Sequence, residues 1–163
     1  MNEEKIKQLV TETIYKASLY LDECRWTDWL NLCDEKFYYA IKAYSPEINY
    51  EMTYLDGYRS DLLNLTGMLP KHNTDHSPLS RHTVAYTVDL DKNQETASAV
   101  SSVAVYQTQL DGINSHLLAG ESNVFMVGKY HDKLCIKKGK PHFLERIVQL
   151  DTRRLDKGSH WPI

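Results

Sequence analysis

Two apolar periods divide this chain, and they do not mix. Near the start, Ile6, Leu9, Val10, Thr13, Ile14, Ala17 and Leu21 recur at steps of three and four, which draws one apolar stripe along a helix. From Arg81 onward the step is two: Val84, Tyr86, Val88 and Leu90 alternate with Thr83, Ala85, Thr87 and Asp89. A helix stripe and a sheet face each need an apolar partner, and the simplest solution buries one against the other. Helices first and strands later make an α+β fold, and 163 residues make one domain spanning 1–163.

The finer pattern fills in the order. A second short helix follows the first, with Trp26, Trp29, Leu30 and Cys33 on one face and the break near Arg25 or Thr27. Lys36 to Tyr44 is aromatic and predicts a strand ended by Ser45-Pro46. Asn49 to Tyr58 is ambiguous. Asp61 to Leu69 predicts a helix capped by Ser60 and stopped by Pro70, and residues 71–80 a polar loop. Four strands then form an antiparallel meander: the first from Arg81, then Ala97 to Leu110, Leu117 to Tyr130 with a bend at Gly120, and His142 to Leu150. Turns fall at Asp91-Lys92-Asn93, Asp111-Gly112 and Lys138-Gly139-Lys140. A long curved sheet wrapped around the N-terminal helix buries both stripes.

Charge and cysteine content narrow the function. A net charge of −3 supplies no basic field for a phosphate backbone, so nucleic acid is not the expected partner. Three scattered cysteines, Cys24, Cys33 and Cys135, make neither a disulfide framework nor a Cys-x-x-Cys metal site. The charged N-terminal residues lack a secretory core, and no apolar run approaches the roughly 20 residues of a membrane span. The expected location is cytoplasmic. Gly-rich phosphate loops and a Gly-x-Ser-x-Gly elbow are missing from the sequence. Eleven tyrosines against three phenylalanines suit half-buried surfaces and interfaces.

Three groups of residues merit a chemical reading. His72, Asp75, His76 and His82 are donor types that hold iron or zinc, although a solvated polar loop is the simpler account. Asp28 or Asp34 with His82 is the candidate for acid–base work, a carboxylate orienting an imidazole inside the cone; the simpler account leaves Asp28 and His82 on wet surfaces. Arg146 sits on an apolar strand face with Leu144, Val148 and Leu150, so it pairs with a buried acid or marks an interface. The tail adds Arg153, Arg154 and Trp161, expected to touch a neighbouring subunit.

Four stretches, in order, resemble the small (beta) subunits of Rieske-type ring-hydroxylating oxygenases. They are Leu21-Asp22-Glu23 with Trp26, Trp29 and Leu30; Phe37-Tyr38-Tyr39; Ser80-Arg81-His82-Thr83-Val84; and the closing strand Phe143 to Asp151. Residues 70–78 and 151–163 look most like the methanesulfonate monooxygenase branch, whereas the stretch from Tyr44 to Leu69 matches the family poorly. The resemblance implies a cone-shaped, strongly curved, mostly antiparallel sheet on N-terminal helices, of the nuclear-transport-factor-two (cystatin-like) type. It implies a non-catalytic, structural subunit without metal or cofactor of its own. The large (alpha) subunit would hold the Rieske iron–sulfur cluster, the mononuclear iron and the substrate, an aromatic compound or methanesulfonate. Three small subunits would form a trimer within a three-plus-three complex, with Arg81, Arg146, Arg153, Arg154 and Trp161 as interface candidates. From another class, the same fold would serve a free-standing dehydratase or isomerase using Asp28 and His82, or a small-ligand binding module.

Overall fold

The protein is described by a computed structural model over residues 1–72, 76–110, 117–154 and 162–163. Helix α1 (Glu3–Asp22) starts where the Asn2 side chain accepts a hydrogen bond from the Lys5 N–H at 2.9 Å, with Glu3 and Glu4 in the first turn. It stops at Cys24, which adopts a left-handed φ of 55°. That turn lets the Arg25 N–H reach the Tyr20 carbonyl at 2.8 Å and the Cys24 N–H reach that of Leu21 at 3.2 Å, a pair of bonds that closes a helix end. Helix α2 (Trp26–Asn31) follows at once, so the break falls at Cys24 and Arg25.

Strands β1 (Cys33–Ser45) and β2 (Tyr50–Tyr58) form a hairpin, which settles the ambiguous stretch as a strand. Helix α3 (Arg59–His72) begins before the predicted cap. Asp61, not Ser60, closes its start, because its carboxylate accepts the Tyr58 N–H at 2.8 Å. Gly57 makes room, since a Cβ there would lie 2.9 Å from that of Asp61. Pro70 lies inside the last turn and the helix runs on to His72, because losing one hydrogen bond so near the end does not break it.

Strands β3 (Leu79–Leu90), β4 (Thr96–Thr108), β5 (Ser122–Lys137) and β6 (Lys140–Leu150) form the expected meander. The β5–β6 turn puts Lys138 and Gly139 at φ 51° and 74°, the two positive values of a tight hairpin. Gly120 (φ 82°) turns the chain before β5 rather than bending it, and the strand continues past Tyr130 to Lys137. The turn expected at Asp111-Gly112 lies outside the described residues. The sheet order is β2-β1-β6-β5-β4-β3, open at both ends, with β1 running parallel to β6. That parallel pair joins the two halves of the chain.

One face is covered. Ile6, Val10, Ile14, Ala17 and Leu21 of α1 are buried against it, and Trp29 of α2 meets Phe37 and Tyr39 edge-on, with ring centroids 6.2 and 5.9 Å apart. The sheet curls hard around this core. Tyr39 on β1 and Arg81 on β3 are four strand spacings apart, about 19 Å on a flat sheet. Both nevertheless hydrogen-bond to the adjacent residues Pro162 and Ile163.

Bulges set which residues face inward. In β3 the register slips between Ala85 and Thr87, so Arg81, Thr83 and Ala85 point inward before the slip, and Val88 and Leu90 after it. Val84 and Tyr86, two of the four residues whose alternation marks the strand, therefore lie exposed on the outer side. Gly128 of β5 is needed for close approach, because a Cβ there would sit 2.4 Å from the Gln149 carbonyl oxygen. Gly128→Ala should lower stability by about 2 kcal/mol through overpacking, read by chemical denaturation, with strand content retained.

Candidate functional site

The chemically richest part of the molecule is the inner, concave face. Alternation on β5 places Tyr130, Asp132 and Leu134 there, and alternation on β6 places Arg146, Val148 and Leu150 beside them. Counting back from the Lys138-Gly139 turn would pair Arg146 with His131, on the wrong face. A bulge at Leu144 shifts the register by one, sets Asp132 opposite Arg146, and puts Phe143 rather than Leu144 into the core.

Arg146 and Asp132 then form a two-pronged ion pair, Nε to Oδ1 at 2.7 Å and Nη2 to Oδ2 at 2.8 Å, with side chains 1% and 0% exposed. The guanidinium lies 3.9 Å from the Tyr130 ring centroid and 4.7 Å from that of Phe143. Burial opposes its charge, and the Asp132 carboxylate more than compensates, so its pKa rises. Burial also raises the pKa of the Tyr39 and Tyr130 phenols, which keeps them protonated at neutral pH.

A second pair, with Arg81 buried and Asp22 half-buried, ties three segments together. Asp22, at the end of α1, accepts from the Arg81 main-chain N–H at 3.0 Å and from its Nη1 at 2.8 Å. Arg81 Nη2 donates to the Pro162 carbonyl at 2.8 Å. Ile163, buried to 1% exposure, donates its N–H to Tyr39 Oη at 2.6 Å, and the Tyr39 hydroxyl donates to its carbonyl at 3.1 Å. The chain's own residues thus occupy the concave face.

The predicted catalytic pair is not assembled. Asp28 stands on the surface of α2, bonded to Arg25 Nε at 2.9 Å. His82 faces the opposite way from Arg81, as strand alternation demands, and packs edge-on against Tyr106 on the outer side at 4.9 Å. His76 is exposed, while Asp75 and the His72 side chain lie outside the described residues. Among the described residues no three His, Cys, Asp or Glu side chains come together as metal ligands. Burial pushes the Cys33 thiol up to about 12, far from a nucleophile's range.

The interface candidates also divide. Arg81 and Arg146 direct their guanidinium groups into their own chain and present no surface to a neighbour. Arg153 binds Glu47 and reaches Ser45 Oγ at 3.3 Å, and its carbonyl accepts from Tyr54 Oη at 3.0 Å, so its contacts are likewise internal. Arg154 is exposed, and Trp161 lies outside the described residues. The residues that sequence reading missed are Asp132, Tyr130, Asp22 and Tyr39, the last signalled by the aromatic strand. Ile163 belongs to the apolar end of the tail, whose composition calls for cover by its own domain or a neighbour, and its own domain covers it.

The relatives share this architecture. The chain is 56% identical over 154 residues, 94% of its own length and 85% of the other's, to the beta subunit of a methanesulfonate monooxygenase hydroxylase from Methylosulfonomonas methylovora. It belongs to the beta subunits of ring-hydroxylating oxygenases. The beta subunit of a 2-aminobenzenesulfonate 2,3-dioxygenase from an Alcaligenes species is 28% identical over 94% of this chain and 97% of that one. Among solved structures, one described as the beta subunit of an aromatic-ring-hydroxylating dioxygenase from Novosphingobium aromaticivorans matches with a TM-score of 0.76 at 22% identity, covering 96% of both chains. No family model matches. The fold is NTF2-like and cystatin-like, with an unclosed sheet. None of its described helices is long and apolar enough to cross a membrane.

Two predictions follow from the site. Asp132→Ala strands a buried guanidinium and should cost about 3–5 kcal/mol, whereas replacing both partners (Asp132→Leu with Arg146→Met) should lie nearer wild type, measured by denaturant melts. The second concerns Glu47, which Arg153 holds down to about 2 from an ordinary 4.5. A carboxylate lowered in the folded state contributes stability above its unfolded value and loses it as pH falls from 4.5 through about 2. Glu47→Gln should therefore flatten the stability–pH slope across that window.

Proposed function

We propose that this chain is the non-catalytic small subunit of a cytoplasmic Rieske non-heme iron hydroxylase. Three copies form a trimeric base under three alpha subunits, which carry the iron–sulfur cluster, the mononuclear iron and the substrate site. The 56% identity to a methanesulfonate monooxygenase subunit favours an alkanesulfonate over an aromatic substrate for the whole complex.

The observation that carries the structural role is the contrast between the two sheet faces. The inner face is filled by internal ion pairs and by Ile163. On the outer face Val84, Val124 and Val127 are exposed, and register places Ala104 and Tyr106 among them. An apolar sheet face of this kind is a surface for another protein. The dehydratase or isomerase reading has no comparable support, because Asp28 and His82 stand on separate surfaces.

Native mass spectrometry of the chain co-expressed with its alpha subunit tests the proposal. The expected species is a three-plus-three complex, with all iron accompanying the alpha subunit. Val84→Glu with Val127→Glu should leave the monomer folded by circular dichroism and abolish the trimer. A wild-type chain that stays monomeric at high concentration with the alpha subunit present would overturn the proposal.

A further inference from the structure

Pro162 and Ile163 are bound in the way a ligand is bound. They belong to no helix or strand, and among the described residues no main-chain to main-chain hydrogen bond holds them. Side chains do the holding. Arg81 Nη2 takes the Pro162 carbonyl, Tyr39 Oη takes both the N–H and the carbonyl of Ile163, and the aliphatic side chain is enclosed in the apolar core. A compact apolar body fixed by a few convergent polar groups describes a small-molecule site.

The surrounding side chains retain hydrogen-bonding capacity. Arg81 Nε, Arg146 Nη1 and Tyr130 Oη are fully buried and find no partner among the described residues. Buried polar atoms of this kind are normally satisfied, so three in one cluster indicate a place able to accept a ligand rich in acceptor atoms. Arg146 is the register partner of Tyr39 and lies 3.9 Å from the Tyr130 ring centroid, and Arg81 and Tyr39 hold adjacent residues, which makes the four one site drawn from four different strands.

We infer that the concave face of this subunit is a binding site for a short N-acyl amino acid or peptide, one branched aliphatic side chain flanked by carbonyl acceptors, and that Pro162–Ile163 occupies it as a tethered ligand. The site is a property of this chain's interior and does not depend on the role of the subunit in a hydroxylase. While the segment is seated, a free ligand must compete with a tethered one, whose effective concentration is roughly millimolar.

The test ends the chain at Trp161 and uses N-acetyl-prolyl-isoleucine amide as the probe, with the protein kept in the assembly in which the wild type purifies. The shortened protein should melt several degrees lower, and the probe should restore the melting temperature saturably while leaving the wild type unmoved. N-acetyl-prolyl-aspartate amide should not substitute for the probe. Tyr39→Phe in the shortened background should weaken probe binding about tenfold, the loss of one buried hydrogen-bonding group. Should the shortened chain fail to fold, Ile163→Gly empties only the side-chain space and should still gain probe binding that the wild type lacks. Failure of the probe to bind every folded variant, or equal rescue by the aspartate probe, would overturn the inference.

Discussion

The paired charges of Arg146 and Asp132 fix the middle of this molecule. Removing two ions from water is costly, and a buried pair recovers that cost only with close geometry and satisfied neighbours. Here the two hydrogen bonds of 2.7 and 2.8 Å supply the geometry and the Tyr130 and Phe143 rings flank the guanidinium, while Nη1 has no partner among the described residues. The pair locks β5 to β6 in one register. Through the Tyr39–Arg146 pairing it also sets the parallel β1–β6 seam, on which the connection between the two halves of the chain depends. A slip by one residue would put His131 opposite Arg146 and turn one of the two strands inside out.

From that seam the sheet curls until strands far apart in the order share contacts. The Arg81–Asp22 pair anchors α1 to the start of β3, and Pro162 and Ile163 bridge the gap between β3 and β1. The result is a subunit with a crowded interior and exposed apolar side chains on its exterior. The fold is filled on its concave side by the chain itself. Its free apolar area is on the outside, where a multi-subunit hydroxylase would use it.

Local chemistry was legible wherever it decided the outcome. The α1 stripe, the Trp26–Trp29 corner, the meander and the Lys138-Gly139 turn follow from periodicity and turn residues alone. The ambiguous stretch became a strand only because β1 offered it a partner, and α3 overran Pro70 because the missing hydrogen bond fell in its last turn. The site was less legible. Arg146 was recognisable as a residue needing an acid, but sequence alone did not identify which acid. Asp28 and His82 were plausible by type and were separated by the alternation that placed Arg81 inside and His82 outside.

The sequence by itself determined the class of fold, the order of its elements and the need of a lone arginine on an apolar face for a partner. These depend on residue types and spacings within one element, over distances of a few residues. Only the tertiary structure decided that Asp132 is that partner, that β1 runs parallel to β6, that Val84 and Tyr86 face outward, and that Ile163 fills the concave face. Each of these depends on a bulge or a long-range pairing. A single extra residue in one strand reverses which side chains face the core, and no local pattern records where that residue falls.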